Sequence, residues 1–146
     1  MRIALGADHA GYELKQHIGS MLAESGVTVI DLGTHSEDPV DYPDFAAAVA
    51  RAVNDARADR GIIICGSGAG ACVAANKVRG IRAAVAHDTY TAHQAVEHDD
   101  VNVLCLGSRV IGRNLAEELV RAFIAAEFSH EERHVRRLEK LKALES

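Results

Sequence analysis

The stretch Gly61-Ile62-Ile63-Ile64-Cys65-Gly66-Ser67-Gly68-Ala69-Gly70 decides the fold. Its first half is a short, continuous, β-branched run, as expected of a strand buried on both faces. Its second half is a glycine-rich turn of the kind that carries such a strand into a helix. Glycines let backbone N–H groups point inward and let an anion come close. The N-terminus of the following helix adds partial positive charge. Together they favour a thiolate at Cys65, a plausible base facing an oxyanion pocket.

Working outward, the same alternation repeats. Ile3–Gly6, Val27–Leu32, Ala83–Ala86 and Val103–Leu106 join Gly61–Cys65 as predicted strands. Between them, Leu14, Ile18 and Leu22 recur at helical spacing, as do Phe45, Val49 and Val53, and Leu115, Leu119 and Phe123. Strand–helix alternation over 146 residues predicts one α/β domain spanning 1–146. The expected architecture is a Rossmann-like, doubly wound, five-stranded parallel sheet in three αβα layers. A last helix, about Glu131 to Leu144, carries Val135, Leu138 and Leu141 among many charges and is expected to pack on a partner subunit. The loop from Gly33 to Pro43, with both prolines, is the longest irregular stretch.

Composition narrows the function. The net charge of −5 argues against nonspecific nucleic-acid binding, which needs a basic surface. No apolar run approaches a membrane span, and Met1-Arg2-Ile3-Ala4-Leu5 reads as a strand rather than a secretory signal, so a cytoplasmic protein is expected. Three cysteines without paired spacing suggest reduced thiols. Cys72 and Cys105 read as small buried apolar residues within a helix and a strand. Eight histidines invite a metal, but His130 and His134 lack a completed ligand set, and no metal is expected.

Ligands of such sheets bind beyond the carboxyl ends of the strands. That places Asp8-His9, the Cys65 turn and Gly107-Ser108-Arg109 on one edge. His98-Asp99-Asp100 precedes the fifth strand, and a histidine there can move protons near neutral pH. Arg133 and Arg137 are four apart and share a helix face, so two guanidiniums can clamp a phosphate. Gly66-x-Gly68-x-Gly70 also partly matches a dinucleotide loop, with Asp88 about where a ribose-binding acid belongs, so a nucleotide-binding module stays open as a rival.

Read in order, these motifs resemble a family. They are Gly6-Ala7-Asp8-His9-Ala10-Gly11, Asp41-Tyr42-Pro43, Cys65–Gly70, Ala74-Ala75-Asn76-Lys77, Gly80-Ile81-Arg82-Ala83, Asn102-Val103-Leu104, Gly107-Ser108-Arg109 and Arg133-His134. Over essentially the whole chain they resemble ribose-5-phosphate isomerase B and the related galactose-6-phosphate isomerase subunits. The resemblance implies interconversion of ribose 5-phosphate and ribulose 5-phosphate through a cis-enediolate, with no cofactor. It implies that Cys65 moves the proton between C2 and C1 and that His98 assists ring opening. Gly66, Ser67 and Gly70 would hold the enediolate, with serine where the family commonly has threonine. Asp8 and Tyr42 would contact the sugar. His9, Arg109, Arg133 and Arg137 would hold the phosphate, with His134 among them. It also implies a homodimer or homotetramer with each site shared between subunits. Asp99 stands where the family usually has asparagine; an ionised aspartate only accepts hydrogen bonds, which bears on sugar preference. A six-carbon aldose 6-phosphate is the alternative substrate.

Overall fold

A computed structural model describes residues 1–145. Five strands form one parallel sheet: β1 (Arg2–Ala7), β2 (Thr28–Asp31), β3 (Arg60–Cys65), β4 (Ala83–Val85) and β5 (Val103–Gly107). Six α-helices follow or connect them: α1 (Tyr12–Glu24), α2 (Tyr42–Asn54), α3 (Ala69–Ala75), α4 (Thr89–Asp99), α5 (Arg113–Ala125) and α6 (Glu132–Ala143). The expected five-stranded sheet and three layers are therefore present, with element ends differing by a residue or two. One boundary moves for a clear reason: Pro43 lies inside the first turn of α2 rather than in the loop, where its missing N–H costs nothing.

The sheet order is β2-β1-β3-β5-β4. The chain leaves β1 toward β2, then crosses back to place β3 on the other side of β1, so a crevice opens beyond the carboxyl ends of β1 and β3. β5 returns to lie between β3 and the edge strand β4. That insertion pairs Cys65 with Gly107 and sets the Gly107-Ser108-Arg109 turn directly beside the Cys65 turn.

Alternate strand residues face opposite layers. Ile3, Leu5, Ile62, Ile64, Leu104 and Leu106 pack against α1, α4 and α5. Ala4, Ile63, Cys65, Val103 and Cys105 pack against α2 and α3. The second layer is built of small residues, with Ala46, Ala50, Ala71 and Ala75 buried. Val49 wedges over Gly6 and Gly61: a Cβ at those glycines would lie 2.7 and 2.5 Å from it. α2 thus lies close on the sheet and brings its first residue, Tyr42, to the crevice. α6 stands apart from both layers and packs on α4, leaving Val135, Leu141 and Leu144 exposed.

Candidate active site

Cys65 is the last residue of β3 and is buried. Its Sγ accepts a hydrogen bond from the Gly68 N–H at 3.1 Å. That bond requires the chain to double back within three residues, which Gly68 permits by adopting φ +84°. Ser67, exposed, accepts from the Ala69 N–H through Oγ at 3.1 Å. α3 starts here, and its first N–H groups have no carbonyl within the helix to bond. Asp8, Tyr42, Cys65, Gly66, Ser67, Gly70, Arg109 and Val110 line an open cleft of about 360 Å³.

The walls are tied together by short bonds. Asp8 is buried and caps the turn after β1, accepting from the Gly11 N–H at 3.1 Å. His9 Nδ1 accepts from the Val40 N–H at 3.1 Å, which fixes the ring and leaves Nε2 available. The Tyr42 ring lies over Gly70, where a Cβ would come within 2.7 Å of it. The Ser108 N–H donates to Cys65 O at 2.8 Å, the Arg109 N–H to Gly66 O at 3.0 Å, and Ser108 Oγ to Ala10 O at 2.7 Å. The Arg109 guanidinium reaches back over Gly66, about where a Cβ there would meet it at 3.5 Å. Among the described residues, no carboxylate pairs with it.

The remaining candidates form a second cluster. The His98 and His134 rings stack at 4.2 Å between centroids, 27° apart. Gln94 Nε2 lies 2.8 Å from His98 Nδ1, leaving Nε2 of His98 unengaged. His134 is buried, its Nδ1 on Ser129 Oγ and its Nε2 accepting from Arg133 Nε at 3.4 Å. Burial, then the His98, Arg133 and Arg137 charges, hold its pKa below the ordinary histidine value. Both nitrogens being engaged fits a neutral ring. Arg133 pairs with Glu131 at 3.0 Å, and Asp99 is exposed beside His98.

The two clusters do not meet within one chain. α4 runs antiparallel to the strands and ends at Asp99, below the start of β5, whereas Cys65 pairs with the last residue of β5. The length of β5 separates the two levels by about 13 Å along the sheet. So Asp8, His9, Tyr42, Cys65, Gly66, Ser67, Gly70 and Arg109 come together at the carboxyl edge. His98, Asp99, Arg133, His134 and Arg137 gather at the amino edge.

A family model described as Ribose/Galactose Isomerase matches residues 3–141. The chain belongs to this family. It is 46% identical over 144 residues to the ribose-5-phosphate isomerase B of Escherichia coli K12, covering 99% of this chain and 96% of that one. It is 46% identical over 130 residues to a D-erythrulose-4-phosphate isomerase of Pectobacterium atrosepticum, covering 88% and 85%. Among solved structures, the ribose-5-phosphate isomerase B of Clostridium thermocellum superposes with a TM-score of 0.97 at 49% identity, covering 99% of this chain and 97% of that one. Like these relatives, the protein is an enzyme of the sugar-phosphate isomerase class.

Two sequence readings change against this background. Asp88 is not poised for a ribose: it caps α4, accepting from the Thr91 N–H at 2.7 Å and the Thr91 hydroxyl at 2.8 Å. Those bonds hold its carboxyl below the usual range. The nucleotide reading loses its acid, and the family match removes its basis. Conversely, His87 went unnoticed: its Nε2 accepts from the Gly107 N–H at 2.9 Å and anchors the turn that carries Arg109. The signal was a His-Asp pair after a strand, as in Asp8-His9 reversed. It gained meaning only once β5 was known to neighbour β4.

Proposed function

We propose that the protein interconverts ribose 5-phosphate and ribulose 5-phosphate through a cis-enediolate, with Cys65 as the base. The observation that carries this reading is a thiol held at the crevice floor by a backbone N–H, beside a guanidinium that pairs with no carboxylate among the described residues. A thiolate there removes the C2 proton of the aldose and returns it to C1. Negative charge developing on the enediolate oxygens meets N–H groups at the start of α3 and in the Gly66–Gly70 turn, already oriented before reaction. Arg109 and His9 bind the phosphate, and its remote binding energy orients the reacting carbons. Asp8 and Tyr42 hold sugar hydroxyls. The charge is carried by donors of the chain, so neither metal nor cofactor enters the scheme.

Ring opening is assigned to His98, through the ring nitrogen that Gln94 leaves unengaged. It belongs to the amino-edge cluster, and so the site is read as composite: His98, Asp99, Arg133, His134 and Arg137 of one subunit face Cys65 of another. This makes a homodimer, or a homotetramer of such pairs, the working unit. The apolar residues exposed on α6 support an interface there. We place the enzyme in the cytoplasm, in pentose phosphate metabolism; no described helix is long and apolar enough to cross a membrane.

The test is Cys65→Ala, assayed on ribose 5-phosphate beside four- and six-carbon sugar phosphates. Turnover should fall by about 10²–10⁴-fold, with the melting temperature retained. Near-normal turnover removes Cys65 as base, and a faster rate on another sugar moves the substrate.

A further inference from the structure

The mechanism uses one of three cysteines, and the other two sit together behind it. Cys105 and Cys65 are buried in the α2/α3 layer, and Cys72 of α3 packs against the same cluster half-buried. The Cys72 thiol donates to Ala83 O at 3.4 Å, and Asn76 Nδ2 donates to Cys72 Sγ at 3.5 Å. In the sheet Ala83 registers with Val103 and Val85 with Cys105, all four facing α3. The Cys72 sulfur therefore stands over the β4–β5 seam, where the Cys105 side chain rises from the sheet. Cys105 lies two residues beyond Val103 on the same face of β5, so its thiol is the one that adjoins this seam.

We infer that Cys72 and Cys105 form a second thiol site, separate from Cys65, that reacts with small-molecule disulfides and closes into an internal disulfide.

The two sulfurs differ as an attacking and a resolving thiol should. The Cys105 hydrogen bond, opposed by burial and aided by Val85 and Asn76, brings Cys72 down to about 6. Cys72 is the more acidic of the two thiols and is partly open to solvent. The same hydrogen bond and full burial push Cys105 well up, so it stays protonated and out of reach of reagents. First, the Cys72 thiolate attacks one sulfur of the small disulfide, forming a mixed disulfide and expelling one thiolate. Then Cys105 gives up its proton to that thiolate or to solvent and attacks the Cys72 sulfur, expelling the second thiolate. Two protein thiols are oxidised, one disulfide is reduced to two thiols, and the balance closes.

The consequence reaches the crevice. A disulfide needs its sulfurs at about 2.05 Å, well inside the contact distance of two thiols. Closing that gap draws α3 onto β5. α3 begins at the turn whose Gly68 N–H holds the Cys65 sulfur at 3.1 Å. Oxidation at the second site therefore displaces the first.

The experiment treats the intact enzyme with oxidised glutathione, maps free and bonded thiols by alkylation and peptide mass, and measures isomerisation before and after dithiothreitol. A Cys72–Cys105 disulfide is expected, with turnover reduced at least about fivefold and restored by the reductant. Cys72→Ser should keep its basal turnover and lose the sensitivity, and Cys105→Ala should trap glutathione on Cys72. The inference is overturned if the first adduct maps to Cys65, or if Cys72→Ser is inactivated as fast as the parent. A Cys72–Cys105 disulfide with unchanged turnover overturns the coupling to the crevice. Should Cys105→Ala fail to fold, the Cys72→Ser comparison and the map of the parent chain decide alone. The map needs no substrate, so it reads independently of the proposed reaction.

Discussion

Gly70 and the Tyr42 ring meet so closely that one methyl group would displace the ring. Gly70 lies in the first turn of α3, where alanine is the better helix former by about 1 kcal/mol. Gly70→Ala should therefore keep or raise the melting temperature while lowering kcat/KM for ribose 5-phosphate by about tenfold. An unchanged kcat/KM would mean that the ring position is immaterial. Residues of this kind were legible beforehand because they sit in contiguous motifs: Cys65 ends a strand, and Asp8, Ser67 and Arg109 come within two residues after one. His87 and Asp88 were not. One bonds across to a strand that is its neighbour only in the folded sheet, and the other caps its own helix. Spacing alone separates neither role from chance.

Elements carry the site through a few buried ties. Lys15 of α1 is fully buried, its Nζ 2.7 Å from Asp31 at the end of β2 and 2.8 Å from Gln16 Oε1. The other Asp31 oxygen accepts from the Gly33 N–H at 2.9 Å, and Gly33 O accepts from the Ala7 N–H at 2.8 Å, next to Asp8. Removing the carboxylate strands an ammonium in the core, whereas removing the ammonium leaves a half-exposed carboxylate that water can reach. Asp31→Ala should thus cost about 3 kcal/mol or more, and Lys15→Met clearly less; urea denaturation of both variants measures the order. Nothing in the sequence marked Lys15, whose spacing on α1 reads equally well as a solvated position. The helical stripe of Leu14, Ile18 and Leu22, by contrast, was plain from its period and is buried.

At the α4–α6 contact, burial and the neighbouring cationic groups disfavour protonation of the His134 ring. Its folded pKa lies below the ordinary 6.5, so stability is at its full value above that pH. It falls as pH drops below 6.5, because the unfolded chain then takes up a proton that the folded one resists. Melting temperatures measured from about pH 7.5 down to 5 should decline more steeply for the parent than for His134→Gln. Parallel curves would show that another group governs the decline.

For the whole molecule, strand–helix alternation announced the architecture, but not the order β2-β1-β3-β5-β4. Each short connection is compatible with more than one neighbour. Only packing chose to insert β5 beside β3, and that choice brings Arg109 to Cys65. The same topology keeps Cys65 and His98 at opposite edges of the sheet. The composite reading makes a sharp prediction. Cys65→Ala and His98→Asn, each inactive alone on the cyclic substrate, should complement when refolded together. With random pairing in a two-fold dimer, half the dimers are hybrids with one intact site each, giving about a quarter of parental activity. No recovery, with hybrid dimers demonstrated by native mass spectrometry, would place both groups in a single chain.

If the composite reading holds, Cys65 and His98, parted by the length of the strands, leave a solitary copy with two halves of different sites. Under the composite reading, diluting the enzyme below the dissociation constant of the assembly extinguishes specific activity without unfolding anything. A small molecule that merely wedges two copies apart would silence catalysis while leaving every reactive atom untouched.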